Sequence, residues 1–186
     1  MLERAANMTG NLEERWFTML KLGEINERYY NNWNEAERWY LECTKNDSAR
    51  ADPFFYLGQH FRLVGAPERA LGYLESAASL PVPERSLFLW HFLYNCLSKV
   101  EYARAVAMID PSDTSVDQEK IVNQAIKFLR QTRGCDDALE SEKKSLLTSL
   151  ETRSQLHSTK SDGDSIAVVT QGGIWLCCCG DVWFEF

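Results

Sequence analysis

The feature that most constrains this chain is a repeat of itself. Leu22-Gly23 pairs with Leu57-Gly58, 35 residues further on, and Ala36 pairs with Ala70, 34 residues further on. In the same alignment Tyr40 falls on Leu74 and Cys43 on Ala77. A period of about 34 residues holds two helices and a turn, and one such unit cannot bury its apolar face alone. Units must therefore stack. Gly58 lies inside an otherwise helical pattern, where glycine costs about 1 kcal/mol relative to alanine. A mid-helix glycine that returns at the repeat period predicts close approach of two helices rather than a break. On that reading Gly58, Ala70 and Ala77 let the axes come together, while Leu57, Phe61 and Leu74 fill the grooves.

A third, degenerate unit is expected from Leu87. Leu87, Trp90, Tyr94, Ala103 and Ala107 keep the offsets 33 residues after their predecessors, with His91 in the place of Gly58. Pro81 and Pro83 end the second unit, since proline cannot continue a helix interior. Leu2, Ala5 and Ala6 resemble the last turns of an earlier second helix, so the chain is expected to begin within a longer array. The expected divisions are repeats over 1–110, with a partial unit at 1–11 and units at about 12–48, 49–83 and 84–110.

Additional capping helices are expected over 111–156. Ser115 with Gln118 three residues on reads as a capping box, and Ile121, Val122, Ala125, Ile126 and Leu129 form one apolar face that Gly134 would stop. A last helix from about Asp136 carries Leu139, Leu146, Leu147 and Leu150 on one stripe, with Glu and Lys opposite. Residues 157–186 read as a linker and a β-hairpin-like tail: Ser165–Thr170, Ile174–Cys179 and Val182–Phe186 have strand character, separated by Gly172-Gly173 and Gly180-Asp181. That tail is read as the start of a further, truncated domain.

The period and its small residues are those of the tetratricopeptide repeat, so the expected fold is all-α: a tetratricopeptide-like helical-hairpin solenoid with a short β-like C-terminal tail. Residues 1–110 also resemble, in order, the tetratricopeptide region found beside family-2-type glycosyltransferases. The residues that carry this are Leu12, Trp16, Leu20 and Gly23, then Arg50, Asp52, Pro53, Leu57 and Phe61, then Leu80, Pro81, Pro83 and Leu87. In that family the transferase domain is a separate segment, so the resemblance implies pathway context and not activity. Asp162-Gly163-Asp164 superficially matches the metal-binding Asp-x-Asp of such transferases. It follows a Ser- and Thr-rich stretch instead of closing a strand, and it reads as solvated linker.

Composition narrows function further. The 186 residues carry 45% hydrophobic and 25% charged side chains, a globular balance. A net charge of −7 argues against nucleic-acid binding, which needs clustered cations. No apolar run reaches the length of a transmembrane helix, and the N-terminal residues lack a signal peptide's basic-then-apolar layout. The six cysteines (Cys43, Cys96, Cys135 and the run Cys177 to Cys179) suit neither a disulfide framework nor a zinc site, so a reducing, cytoplasmic setting is expected. The sequons at Asn7 and Asn46 then read as chance matches.

The sequence offers no catalytic set. His60, His91 and His157 are isolated, with no partner at metal spacing, and His60 and His91 read as packing or groove residues. Cys177–Cys179 would face alternately if in a strand, which disfavours a shared ion. No cofactor, metal or catalytic residue is expected. The positive expectation is a concave groove lined by the first helix of each pair: Phe17, Leu20, Glu24 and Glu27, then Phe55, Gln59 and Arg62, then Phe88, Phe92 and Asn95. Aromatic anchors with a few polar groups suit a protein or peptide partner. The expected function is a non-catalytic scaffold for protein–protein interaction. The alternative is a fragment of a glycosyltransferase whose catalytic domain lies elsewhere. Oligomeric state is not legible.

Overall fold

A computed structural model describes residues 11–162, the side chains as far as 156, and the backbone of 169–170 and 173–174. The described fold is helical, as expected. Helices α1 (Leu12–Arg28) and α2 (Trp33–Asn46) form one hairpin, and α3 (Ala51–Leu63) and α4 (Pro67–Ser79) form a second. Then come α5 (Ser98–Met108), α6 (Gln118–Gln131) and α7 (Asp137–Asp162). One continuous core runs from Trp16 to Leu150.

The hairpins begin and end where their local chemistry directs. Asn11 caps α1 by accepting from the Glu13 amide at 3.0 Å, and Glu13 and Glu14 sit in the positive first turn. Asn32 caps α2 through the Glu35 amide. Between them Asn31 takes φ 49°, a left-handed conformation that asparagine tolerates better than most residues. Helix α3 closes in a Schellman motif: Gly65 has φ 79°, the Ala66 amide reaches the Phe61 carbonyl at 2.8 Å, and the Gly65 amide reaches Arg62 at 3.1 Å. Pro67 then opens α4 at a position where its missing amide hydrogen is not needed.

The two recurring glycines are used as anticipated. A Cβ on Gly23 would lie 2.6 Å from Cδ1 of Tyr40, and one on Gly58 would lie 2.7 Å from Cδ2 of Leu74. Tyr40 and Leu74 are themselves equivalent by the repeat, and both are fully buried. The same glycine-to-partner contact thus closes each hairpin.

The third stretch departs from the hairpin pattern. After Leu80 the chain is non-helical as far as Trp90, with bends at 84–85 and 87–88, and residues 91–108 form one continuous helix. That helix contains a π-helical turn, Leu93–Leu97. Tyr94 and Ala103, which the alignment assigns to two helices of one unit, therefore share one. Two carbonyls of the π turn take donors from outside the helical backbone ladder. Tyr94 O accepts from Lys99 Nζ, and Asn95 O accepts from the Arg133 amide at 3.1 Å.

Helix α6 buries Ile121, Val122, Ala125, Ile126 and Leu129 as expected, with Phe128 beside them. Its cap is different. Asp117, not Ser115, accepts from the Lys120 amide at 3.0 Å. The Gln118 side chain turns back to the carbonyls of Asp110 and Asp113, and the Ser115 hydroxyl donates to Asp113. These bonds within the loop occupy both members of the expected box. Gly134 (φ 68°) lies in the following turn, three residues beyond Gln131, so it does not end the helix. Asp136 caps α7, whose Leu150 is buried and whose Leu139, Leu146 and Leu147 pack against the core.

One expectation is overturned by geometry. Cys96, in the π turn, and Cys135, in the turn between α6 and α7, are joined as a disulfide with Cα atoms 5.5 Å apart. Their 39-residue separation hid the pair; only the return of α6 along α5 brings the two together. Cys43 is free and buried.

Of the expected tail, the described backbone is a two-residue antiparallel pair, β1 (Val169–Thr170) with β2 (Gly173–Ile174). Cys177–Cys179, the strand expected over 182–186, the N-terminal stub and Gly163-Asp164 lie outside the described residues. Among the described residues no helix is long and apolar enough to cross a membrane.

Candidate functional site: the strapped face of α1 and α3

Helices α1 and α3 present neighbouring faces, and the non-helical, bent segment 83–90 lies against them as a strap. Phe88 of the strap stacks on Phe17 of α1, ring centroids 4.0 Å apart and planes 11° from parallel. The backbone of the strap is held as firmly as its side chain. Glu13 accepts from the Leu87 amide at 2.6 Å, from the Ser86 hydroxyl at 2.5 Å and from the Phe88 amide at 3.3 Å. Arg50, immediately before α3, donates to the Phe88 carbonyl and to the Ser86 hydroxyl.

Arg50 is 4% exposed, an environment a guanidinium tolerates only when its charge is met. Its guanidinium carbon lies 3.9 Å from the Trp16 ring centroid, and Glu13 and Asp52 stand 3.4 and 3.6 Å away. Asp52 in turn accepts from the Tyr94 hydroxyl at 2.9 Å, and that hydroxyl accepts from the Ala51 amide, the first of α3. Glu13, Arg50, Asp52 and Tyr94 therefore knit α1, α3, the strap and the π turn into one polar node. The Ser86 hydroxyl, the two strap amides and Arg50 hold the Glu13 carboxyl below its ordinary range against some desolvation. Burial, with Asp52 beside it, pushes the Tyr94 hydroxyl up to about 12.

Further along the same face Glu24 accepts from Tyr56 at 2.9 Å and pairs with Lys21 at 2.8 Å. Glu27 accepts from Tyr40 at 2.8 Å and lies 3.3 Å from His60 Nδ1. Burial first, then these carboxylates, raises both tyrosine hydroxyls well above their usual value. His60 stacks flat on Trp33, centroids 3.3 Å apart, which matches the packing role read from its helical position. A cavity of about 390 Å³ remains beneath the strap, between Lys21, Glu24, Asp52 and Tyr56 and the strap's Leu87 to Trp90.

The ten residues expected to line a groove do not share one environment. Leu20 and Phe55, at 4% and 1% exposure, belong to the core, Phe55 meeting Trp90 at the end of the strap edge to face. Phe17, Glu24 and Glu27 lie on the α1 face, with Gln59 half-buried on α3. Arg62 turns away to α5, where it meets the fully buried Glu101 at 2.5 Å, and Arg104 bridges Glu101 to Glu142 on α7. Phe88 belongs to the strap, Phe92 lies against Trp90, and Asn95 is exposed with its carbonyl on Arg133. The repeat offsets place 87–95 in a helix, whereas the chain stays non-helical through Trp90. Arg50, Asp52, Glu13 and Ser86 were not anticipated. Pro81 and Pro83 were the available signal, since a proline and the residue before it both disfavour helix.

Comparison with protein-family models, with curated proteins and with solved structures gave no match.

Proposed function

We propose that this chain is a tetratricopeptide-like scaffold whose α1–α3 face holds a non-helical, aromatic-bearing peptide segment of a protein partner. One observation carries the reading: that face already holds such a segment, the chain's own strap, by main-chain bonds from Glu13 and Arg50 and by the Phe17–Phe88 stack. Main-chain bonds supply affinity for a segment that follows the strap's backbone course, and the stack supplies preference for an aromatic. The repeated Gly23–Tyr40 and Gly58–Leu74 contacts support the solenoid part of the proposal. A non-catalytic role in a cytoplasmic setting completes it, with the glycosyltransferase resemblance as its pathway context. Transfer or hydrolysis of a nucleotide sugar by this chain alone overturns the non-catalytic part.

The strap competes with any partner at the millimolar effective concentration of a short tether. The test therefore uses a fluorescein-labelled synthetic peptide copying residues 83–91, titrated into the full chain and into its Phe88→Ala variant, whose own strap is loosened. Anisotropy should show saturable binding that is tighter to the variant and abolished by adding Phe17→Ala. Absence of saturable binding to either form up to about 100 µM would count against the proposal.

A further inference from the structure

We propose that the Cys96–Cys135 disulfide is a redox-responsive clamp that sets how firmly the strap covers the α1–α3 face. The clamp deepens the function proposed above and takes from it the meaning of an open face, although its own test does not depend on peptide binding.

The physical path from sulfur to strap is short and continuous. Cys96 sits inside the π turn, a register in which the helix carries one residue more than the α pattern allows and which recurs at functional sites. Two tethers hold it there, both from the α6–α7 turn: the disulfide to Cys135 and the Asn95 carbonyl's bond from the Arg133 amide. Tyr94, two residues before Cys96, delivers its hydroxyl to Asp52 and Ala51. Asp52 flanks Arg50, and Arg50 holds Ser86 and Phe88 of the strap. At its other end the strap runs directly into the π turn, with the Trp90 carbonyl bonded to the Leu93 amide at 3.0 Å. Losing the covalent tether frees the turn to relax to α register. Relaxation by one residue turns the side chains upstream by about 100° around the helix axis. Tyr94 then leaves Asp52, and the strap loses both its anchor at Arg50 and its fixed end at Trp90.

The chemistry balances with an external dithiol as reductant. Cys96 is fully buried whereas Cys135 is partly exposed, so a dithiol thiolate attacks the Cys135 sulfur and Cys96 leaves as thiolate. The second thiol of the reagent resolves the mixed disulfide. The protein gains two electrons and two protons, and the reagent departs as its cyclic disulfide.

Hydrogen exchange of the full chain, oxidised and after treatment with dithiothreitol, tests the clamp; Cys135→Ser supplies a permanently open form, and far-UV circular dichroism checks that each form stays folded. The amides of Leu87 and Phe88, which Glu13 protects, should exchange at least about tenfold faster on reduction and in Cys135→Ser, with α1 to α4 unchanged. Unchanged strap exchange overturns the clamp. So does a general rise across all helices, or loss of the folded signal on reduction, since the disulfide would then only be stapling the fold. Should the strap loosen while the 83–91 peptide still fails to bind the reduced chain, the clamp stands and the peptide-binding proposal falls.

Discussion

Gly23 and Tyr40 touch so closely that no larger residue fits between them: a Cβ added to Gly23 would press into the tyrosine ring 2.6 Å from Cδ1. The Tyr40 hydroxyl meanwhile is fixed on Glu27 at 2.8 Å, so the ring cannot swing aside without breaking that bond. Gly58 meets Leu74 in the same way, with the Leu74 backbone nitrogen 3.2 Å away.

Alanine at either glycine should therefore destabilise the chain despite a gain in helix propensity of about 1 kcal/mol. Overpacking of this kind costs about 1–3 kcal/mol beyond that gain, and the Gly58→Ala penalty falls partly on backbone, which yields least. Gly72 is the control. It lies in α4 with nothing within 4 Å of its added Cβ, so Gly72→Ala should stabilise by about 0.5–1 kcal/mol. Urea unfolding of the three variants reads the opposite signs directly.

Glu101 is the fully buried acid between Arg62 and Arg104, and Arg104 carries the link on to Glu142. Replacing it with alanine leaves two partly buried guanidinium groups facing each other. A loss of about 2–3 kcal/mol is expected, somewhat below the value for a wholly buried pair because both arginines keep some solvent. Glu151→Ala, which breaks the exposed Arg130–Glu151 pair, should change stability by less than about 0.5 kcal/mol. Equal losses from the two variants in the same denaturant series would contradict this ranking.

The Phe17–Phe88 stack predicts a coupling that a double-mutant cycle can isolate. Phe17→Ala and Phe88→Ala, singly and together, should show an interaction energy of about 0.5–1.5 kcal/mol. Additive effects would mean that the strap is held by its main-chain bonds alone.

Stability should also report on Glu13 through pH. Its carboxyl titrates below the ordinary 4.5 in the folded chain, because Ser86, the Phe88 and Leu87 amides and Arg50 favour the charged form. The unfolded chain thus binds the proton more readily. The contribution is present above about pH 4.5 and fades as pH falls through the lowered folded value. Solvent screening at this partly exposed site keeps it modest. Glu13→Gln should be less stable than the parent at pH 6 and converge towards it as pH falls below 4.5 through the lowered folded value. A gap that holds constant across that range would show that the carboxylate charge is not what the strap uses.

The sulfur pair and the strap illustrate two different limits on legibility. Cys96 and Cys135 are 39 residues apart and carry no spacing signature, so nothing local marks them as partners. The strap's course was marked, by Pro81 and Pro83, but the repeat register ran through it and its apolar residues fitted the helical offsets. Asp117 displaced Ser115 as a cap for a comparable reason. Several side chains near a helix start can cap it, and the loop's other bonds, here to Asp110 and Asp113, select which one does.

Local pattern was enough for two helical hairpins of about 34 residues, for the glycines that let each close, and for the apolar face of α6. These follow from side-chain periodicity and size, which act between residues a turn or a hairpin apart. How the α1–α3 face is used follows from contacts of another kind. Whether that face stays open or takes a strap depends on Arg50 meeting Ser86 and Phe88 across 36 to 38 residues, and on Glu13 meeting Leu87 across 74. Contacts at such separations form only once the hairpins have packed, because the desolvated charge of Arg50 and the stacked ring of Phe88 find their partners in the assembled core and nowhere along the chain.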